Sequence, residues 1–269
     1  MIHQYRRCIC IDLIAILGQQ HDMKIQHLHL PGLTPYLHAA HIQDRLVRAI
    51  LDSKASATIS STSSIPKPSP LPTILTFTPP PTYTCGRREI SHLSSSQITH
   101  LRTEGRAEFH EALRGGQTTY HGPGQVVGYP IIDLKAHKLS ARCYVHLLEE
   151  SVVGLCERFG IEGIRTQDPG VWTKRSNGNE KICALGVHLR RNVTAHGVGF
   201  NIGEQVMWWF GRIVACGLEG KGATCLEREG INVADLEEGQ VGRMFVEEMA
   251  KRLHGVDEIV SIPENELPI

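Results

Sequence analysis

The residues best equipped for chemistry stand in Arg114-Gly115-Gly116-Gln117-Thr118-Thr119-Tyr120-His121-Gly122-Pro123-Gly124-Gln125. Four glycines and a proline among these twelve residues give up conformational entropy that a plain hairpin does not require. Backbone without Cβ atoms lets a ligand or another chain segment come close, and Arg114, Tyr120 and His121 would supply donors around it. A long, tight hairpin explains the same glycines, and on glycine content alone the two readings stand level. Glycine recurs at Gly186, Gly197 and Gly199 inside two strand-like runs, where close approach of a ligand and a simple bulge are again both open.

A thiol is the second candidate. Cys216 lies in Ile213-Val214-Ala215-Cys216-Gly217-Leu218, an apolar approach followed by glycine that can present a side chain at the end of a strand. A free cysteine, with a pKa of about 8.5, is only a few per cent thiolate near neutral pH, so a nucleophilic one needs a neighbouring cation or dipole. Most lone cysteines are small buried hydrophobes. Spacing alone leaves Cys216 open between the two, and leaves Lys181 a weaker candidate for its partner. Gly217 to Gly222 fails as a phosphate loop, because the pattern requires glycine at Ala215 and a hydroxyl residue at Gly222. Histidines 121, 137, 146, 188 and 196 form no helical metal pair flanked by a carboxylate, so no metal site is expected.

The chain that must position these groups has 269 residues, with 28 basic side chains balanced by 28 acidic ones. That balance gives no electrostatic reason to expect nucleic acid or an anionic membrane as the main partner. With 41% hydrophobic and 21% charged residues the composition is globular. The longest apolar run, Cys8 to Leu17, is interrupted by Asp12 and falls short of the ~20 residues that cross a bilayer. Eight cysteines without a CxxC pair predict free thiols in a reducing compartment.

Residues 1–30, with Arg6, Arg7 and Lys24 against two aspartates, read either as a targeting segment or as a frayed terminus, with Met23 an alternative start. Apolar residues at helical spacing from Thr34 to Leu51 predict an amphipathic helix. The Ser- and Pro-rich stretch 53–72 reads as a mobile insertion within one domain, 31–255, and 256–269 as a C-terminal tail. Strands are expected over 73–77, 82–85, 107–113, 126–134, 171–174, 181–189 and 197–202. A helix is expected over 140–160, capped by Ser140 and stopped by Gly160, and another through Val241, Phe245, Met249 and Leu253. Asn177-Gly178 marks a hairpin turn. Strands grouped in hairpins with a few helices predict an α+β domain with a mixed, largely antiparallel sheet flanked by helices.

The segment Arg114 to Leu134 resembles the RGGxxTYHGPGQxxxYPIxDL signature of the lipoyl(octanoyl) transferases. The similarity continues through Pro80 to Arg88, Lys181-Ile-Cys-Ala-Leu-Gly-Val187, His196-Gly-Val-Gly-Phe-Asn201 and Ala215-Cys-Gly217, and so covers residues 31 to 255 apart from the insertion. It implies the fold of biotin/lipoate protein ligase catalytic domains and transfer of an octanoyl group from octanoyl-acyl carrier protein to a lysine of lipoyl domains. Those acceptors would be the E2 subunits of 2-oxoacid dehydrogenases and the glycine cleavage H protein. The same resemblance makes Cys216 the acyl-thioester nucleophile, with Lys181 its thiolate stabiliser and general acid/base. It also makes Arg114, Gly115, Gly116, Gln117, Thr118, Thr119, Tyr120 and His121, together with Ala184, Leu185, Gly186, Gly197, Val198 and Gly199, the substrate-binding wall. No cofactor is implied, because a thioester donor is already activated. Eukaryotic members work in mitochondria, and a bacterial cytoplasm is the alternative. The chain departs from the family's usual residues at Thr78, Gln117, Ala215 and Gly199-Phe200. An ATP-dependent lipoate or biotin ligase on the same fold, or a non-catalytic relative that binds lipoyl domains, are the competing readings.

Overall fold

The computed structural model describes residues 23–59, 69–176, 178–213 and 222–267, with side chains at 58 and 59 excepted. The chain enters through strand β1 (Met23–Leu33), helix α1 (Tyr36–Ile59) and strand β2 (Thr73–Thr78). The periodic residues Ile42, Leu46, Val47 and Ile50 of α1 are buried and pack on Leu28, Leu75 and Val127. Next come β3 (Thr82–Cys85), α2 (Ser95–Arg102), β4 (Glu108–Glu111), β5 (Thr119–His121) and β6 (Gln125–Ile131). Helix α3 (Ala141–Glu157) begins where Ser140 Oγ accepts the Cys143 amide at 3.1 Å, and Gly160 follows it with φ 72°.

Strands β7 (Gly163–Arg165), β8 (Val171–Arg175), β9 (Gly178–Arg190) and β10 (Val193–Asn201) lead to the short helix α4 (Val206–Phe210), then α5 (Gln240–Arg252) and β11 (Val256–Ile262). The main sheet runs β11-β1-β2-β6-β10-β9-β8-β7, and a second sheet runs β4-β3-β5. β11, β1 and β2 are mutually parallel, whereas the pairings from β2 to β7 are antiparallel. The α+β reading with a mixed sheet therefore stands. Helices α3 and α5 bury Leu148, Val152, Phe245 and Met249 on one face of the main sheet, and α1 covers the other.

Three boundaries differ from those expected. Met23 to Leu30, read as part of the 1–30 terminus, belong to β1, which pairs with β2 on one side and β11 on the other. Histidines disguised the strand: His27 is buried and its Nε2 lies 2.8 Å from Thr76 Oγ1. The tail supplies β11, whose pairing with β1 closes the parallel edge of the sheet. Helix α1 continues through Ile59, so the first seven residues of the insertion read at 53–72 are helical; residues 60–68 lie outside the described residues, as do 1–22. Cys143 is disulfide-bonded, unlike the free Cys85, Cys156, Cys183 and Cys225.

Candidate active site

Three strands and one loop build a cleft on the α1 face of the sheet. Antiparallel pairing sets Gly199 opposite both Ala184 and Val127, and Gly197 opposite Gly186. Between them these residues leave a strip of backbone almost bare of side chains. The loop from Arg114 to Thr119 and the end of β5 form the opposing wall. Arg114, Gly116, Gln117, Thr119, His121, Ala184, Leu185, Gly186, Gly197, Val198 and Gly199 line the cleft, joined by Tyr129.

The buried guanidinium of Arg114 shapes this wall. Its Nη2 donates to Thr84 O at 2.6 Å and Oγ1 at 2.7 Å, while Nη1 donates to the carbonyls of Gly115 at 3.0 Å and Gln117 at 2.9 Å. Arginine thus stitches β3 to the glycine loop, and its methylene stem packs 3.0 Å from where a Cβ of Gly186 would be. A donor role toward ligand, expected for Arg114, gives way to this clamp.

Residue alternation along β5 separates the other candidates. Thr119 and His121 face the cleft. Tyr120 points the opposite way, stacked on Trp209 at 5.2 Å between ring centres and edge-on to Tyr83 at 5.6 Å. Thr118 lines a neighbouring cavity instead. Gly115 is spent on a hydrogen bond from its amide to Val187 O at 3.0 Å. So Gly115, Thr118 and Tyr120 frame the wall from behind rather than line it.

A chain of side-chain hydrogen bonds runs from the cleft to Lys181, and sequence reasoning missed its two middle members. Asn201 Nδ2 donates to the carbonyls of Thr224 at 2.9 Å and Lys181 at 3.5 Å. Since carbonyls only accept, Asn201 Oδ1 must face Gln125, and it receives Gln125 Nε2 at 2.9 Å. Gln125 Oε1 is then left for His121 Nδ1 at 2.7 Å, which fixes Nδ1 as the protonated ring nitrogen. Burial, reinforced by the Arg114 charge, lowers the His121 pKa to about 4, so near neutral pH the ring is uncharged and Nε2 carries a lone pair. The available signal was that Gln125 and Asn201 are polar residues at the ends of buried strands.

Lys181 lies three residues before Ala184 on β9, about 10 Å along the strand from the cleft. It is 6% exposed; its Nζ donates to Pro169 O at 3.1 Å and sits 4.5 Å from the centre of the Trp172 ring. Gly170, at φ 119°, leaves room for this stem, because a Cβ there would lie 3.3 Å from Lys181 Cε and 2.6 Å from Cys183 O. The Lys181 backbone is tied to Gly222 O and the Thr224 amide at 2.9 and 3.0 Å. Cys216 belongs to 214–221, outside the described residues; Ile213 precedes it by three positions and Gly222 follows it by six.

Residues 36–250 match the lipoyl protein ligase A/B catalytic domain family. This chain belongs to that family. Over 213 residues it is 41% identical to a probable octanoyltransferase of Schizosaccharomyces pombe, an alignment covering 77% of this chain and 89% of the relative. Over 205 residues it is 38% identical to the mitochondrial octanoyl-acyl-carrier-protein:protein N-octanoyltransferase of Danio rerio, covering 76% and 82%. The bipartite lipoate protein ligase of Thermoplasma acidophilum superposes with a TM-score of 0.58 over 91% of this chain and 89% of that one, at 12% identity. The lipoyl protein ligase A/B family thus shares its sheet and helix arrangement with this chain well beyond recognisable sequence similarity.

Proposed function

We propose that this chain is an octanoyltransferase of protein lipoylation, moving an octanoyl group from octanoyl-acyl carrier protein to a lysine of lipoyl domains. The observation that carries the reading is the glycine-floored cleft, lined by eleven of the fourteen substrate-binding residues that the family resemblance implies and sharing strand β9 with a buried lysine. An unbranched acyl chain can lie against backbone there, gaining ~0.8 kcal/mol for each buried methylene. The cleft encloses about 30 Å³, so an octanoyl chain would have to displace lining side chains, of which Gln117 and Leu185 are half-buried.

In the proposed route the Cys216 thiolate attacks the donor thioester carbonyl. A new carbon–sulfur bond forms, the donor thiolate leaves and takes the proton of the Lys181 ammonium, which leaves that amine neutral, and the activation of the thioester is kept without ATP. The ammonium of Lys181 would hold the attacking sulfur ionised. The amine of the acceptor lysine then attacks the Cys216 thioester, forming an amide and expelling the Cys216 thiolate, while a proton of the attacking nitrogen passes to Lys181 acting as base. The mitochondrion is the proposed compartment, in keeping with the Danio rerio relative, and lipoylated dehydrogenase subunits and the glycine cleavage H protein are the proposed acceptors.

Incubation with octanoyl-acyl carrier protein, followed by intact mass, should add one octanoyl group that hydroxylamine removes and that Cys216→Ala never acquires. Modification of lipoyl domains that survives Cys216→Ala and depends on ATP would place the chain with the ligases instead.

A further inference from the structure

A second cavity, of about 330 Å³, adjoins the cleft, and Gln117 lines both. Gln97, His100 and Thr118 give it amide, imidazole and hydroxyl groups, while Leu93 and Ile213 give it apolar wall. Ile213 is also the last described residue before the segment that carries Cys216. The cavity therefore adjoins the acyl cleft without being part of it.

Arg212 lines this cavity and reaches its rim. Its guanidinium carbon lies 5.0 Å from the centre of the Trp208 ring, and that of Arg106 lies 5.1 Å from it. Trp208 is 48% exposed. Among the described residues neither arginine forms an ion pair: Arg212 Nη2 donates to His100 O at 2.8 Å, and Arg106 Nε reaches Thr103 O at 3.4 Å. Arg212 Nε is buried without a hydrogen-bond partner among the described residues. Glu89 also lines the cavity, its carboxylate accepting the Thr118 amide at 2.6 Å, and Glu108 is paired with His110 at 2.7 Å. In a chain of zero formal charge, this face offers two guanidiniums on one exposed indole, neither in an ion pair among the described residues. Arginine and tryptophan are the residues most enriched where binding energy concentrates, and guanidinium forks match phosphate and carboxylate.

We infer that Arg106, Trp208 and Arg212 dock the acyl carrier protein, and that the 330 Å³ cavity receives its phosphate-linked thioester arm. The inference rests on the octanoyl-transfer reading and names the surface by which that site meets its donor. An arm with two amides and a hydroxyl suits the cavity's amide, imidazole and hydroxyl lining, and its phosphate suits the arginines at the rim. The acceptor favours this cavity less, since it presents only a lysine side chain. The arm would then pass Gln117 to bring its thioester to the cleft.

The test is calorimetric titration of the full chain carrying Cys216→Ala with octanoyl-acyl carrier protein and, separately, with a lipoyl domain. Arg106→Glu and Trp208→Ala should each weaken carrier binding about tenfold or more, Arg106→Lys much less, and none should change lipoyl-domain binding. On the enzyme with its cysteine, the same variants should form the thioester from octanoyl-N-acetylcysteamine at the parent rate. Octanoyl-phosphopantetheine should outcompete octanoyl-pantetheine on the parent and not on Arg106→Glu. Carrier affinity unchanged within twofold, no carrier binding by the parent, or loss of lipoyl-domain binding in its place would each overturn the docking assignment. If calorimetry holds while no octanoyl thioester ever labels the parent, the transferase reading fails and the docking assignment survives.

Discussion

On the face of the main sheet covered by α3 and α5, Gly128 yields its space to a protein side chain: a Cβ there would meet the Phe245 ring at 2.7 Å. On the opposite face Gly199 stands one strand away, and its bare backbone borders the cleft, with Gln125 Oε1 2.8 Å and His121 Cε1 3.3 Å from where its Cβ would be. One glycine makes room for a core ring, and the other makes room for the Gln125 and His121 side chains beside the cleft. The difference lies in what covers each face, an interlocked pair of helices in one case and a loop clamped by Arg114 in the other. Substitution should therefore separate stability from activity according to face.

The largest effect is expected on the packed face. Phe245→Ala empties a fully buried ring position and should cost about 3–5 kcal/mol in denaturant unfolding, with the transfer rate per folded molecule unchanged. On the cleft face, Gly199→Val should lower the rate of Cys216 thioester formation about tenfold or more, since its side chain must push Gln125 and His121 toward the cleft and exclude the equivalent of roughly two methylenes of the acyl chain at ~0.8 kcal/mol each. Its stability cost should stay near ~1–3 kcal/mol, the range for overpacking. Parent-like acylation by Gly199→Val would show that the chain lies elsewhere.

Acid should then blur the contrast, because both faces hold neutral buried histidines. Burial lowers His27, beneath α5, from the ordinary 6.5 to about 4, and lowers His121 and His196 beside the cleft to about 4 and 3. A depressed histidine leaves the unfolded chain binding more protons, so the stability is fully present above pH 6.5 and drains as pH falls from there toward each folded value. Each histidine should contribute a slope of at most about 1.4 kcal/mol per pH unit, and His121→Gln should remove one such share. A midpoint of unfolding that stays flat between pH 6.5 and 4 would contradict the buried, neutral assignment.

The sequence made the packed face more legible than the cleft. Ser140 and Gly160 bracket α3 as read, and Val241, Phe245, Met249 and Leu253 are all buried, because 3.6-residue periodicity is a local signal. Strand β1 was lost because His27 and His29 count as polar in a pattern, while in the fold His27 is buried against Thr76. Most of the cleft wall was legible from its signature and its glycines. Tyr129, although part of that signature, was not placed in the cleft, since its side chain reaches it only through the β6 and β10 packing under α1. Nor was there a legible His121-Gln125-Asn201 relay, whose members lie up to 80 positions apart and meet only through the β6 and β10 pairing. Tyr120 was misread because a three-residue strand sends neighbours to opposite sides.

The most direct test of the cleft as an acyl site is the second-order rate of Cys216 thioester formation with butanoyl-, hexanoyl- and octanoyl-acyl carrier protein, read by intact mass. Burial of the growing chain predicts a rise of about tenfold for every two carbons up to eight. Equal rates for the butanoyl and octanoyl donors would contradict it.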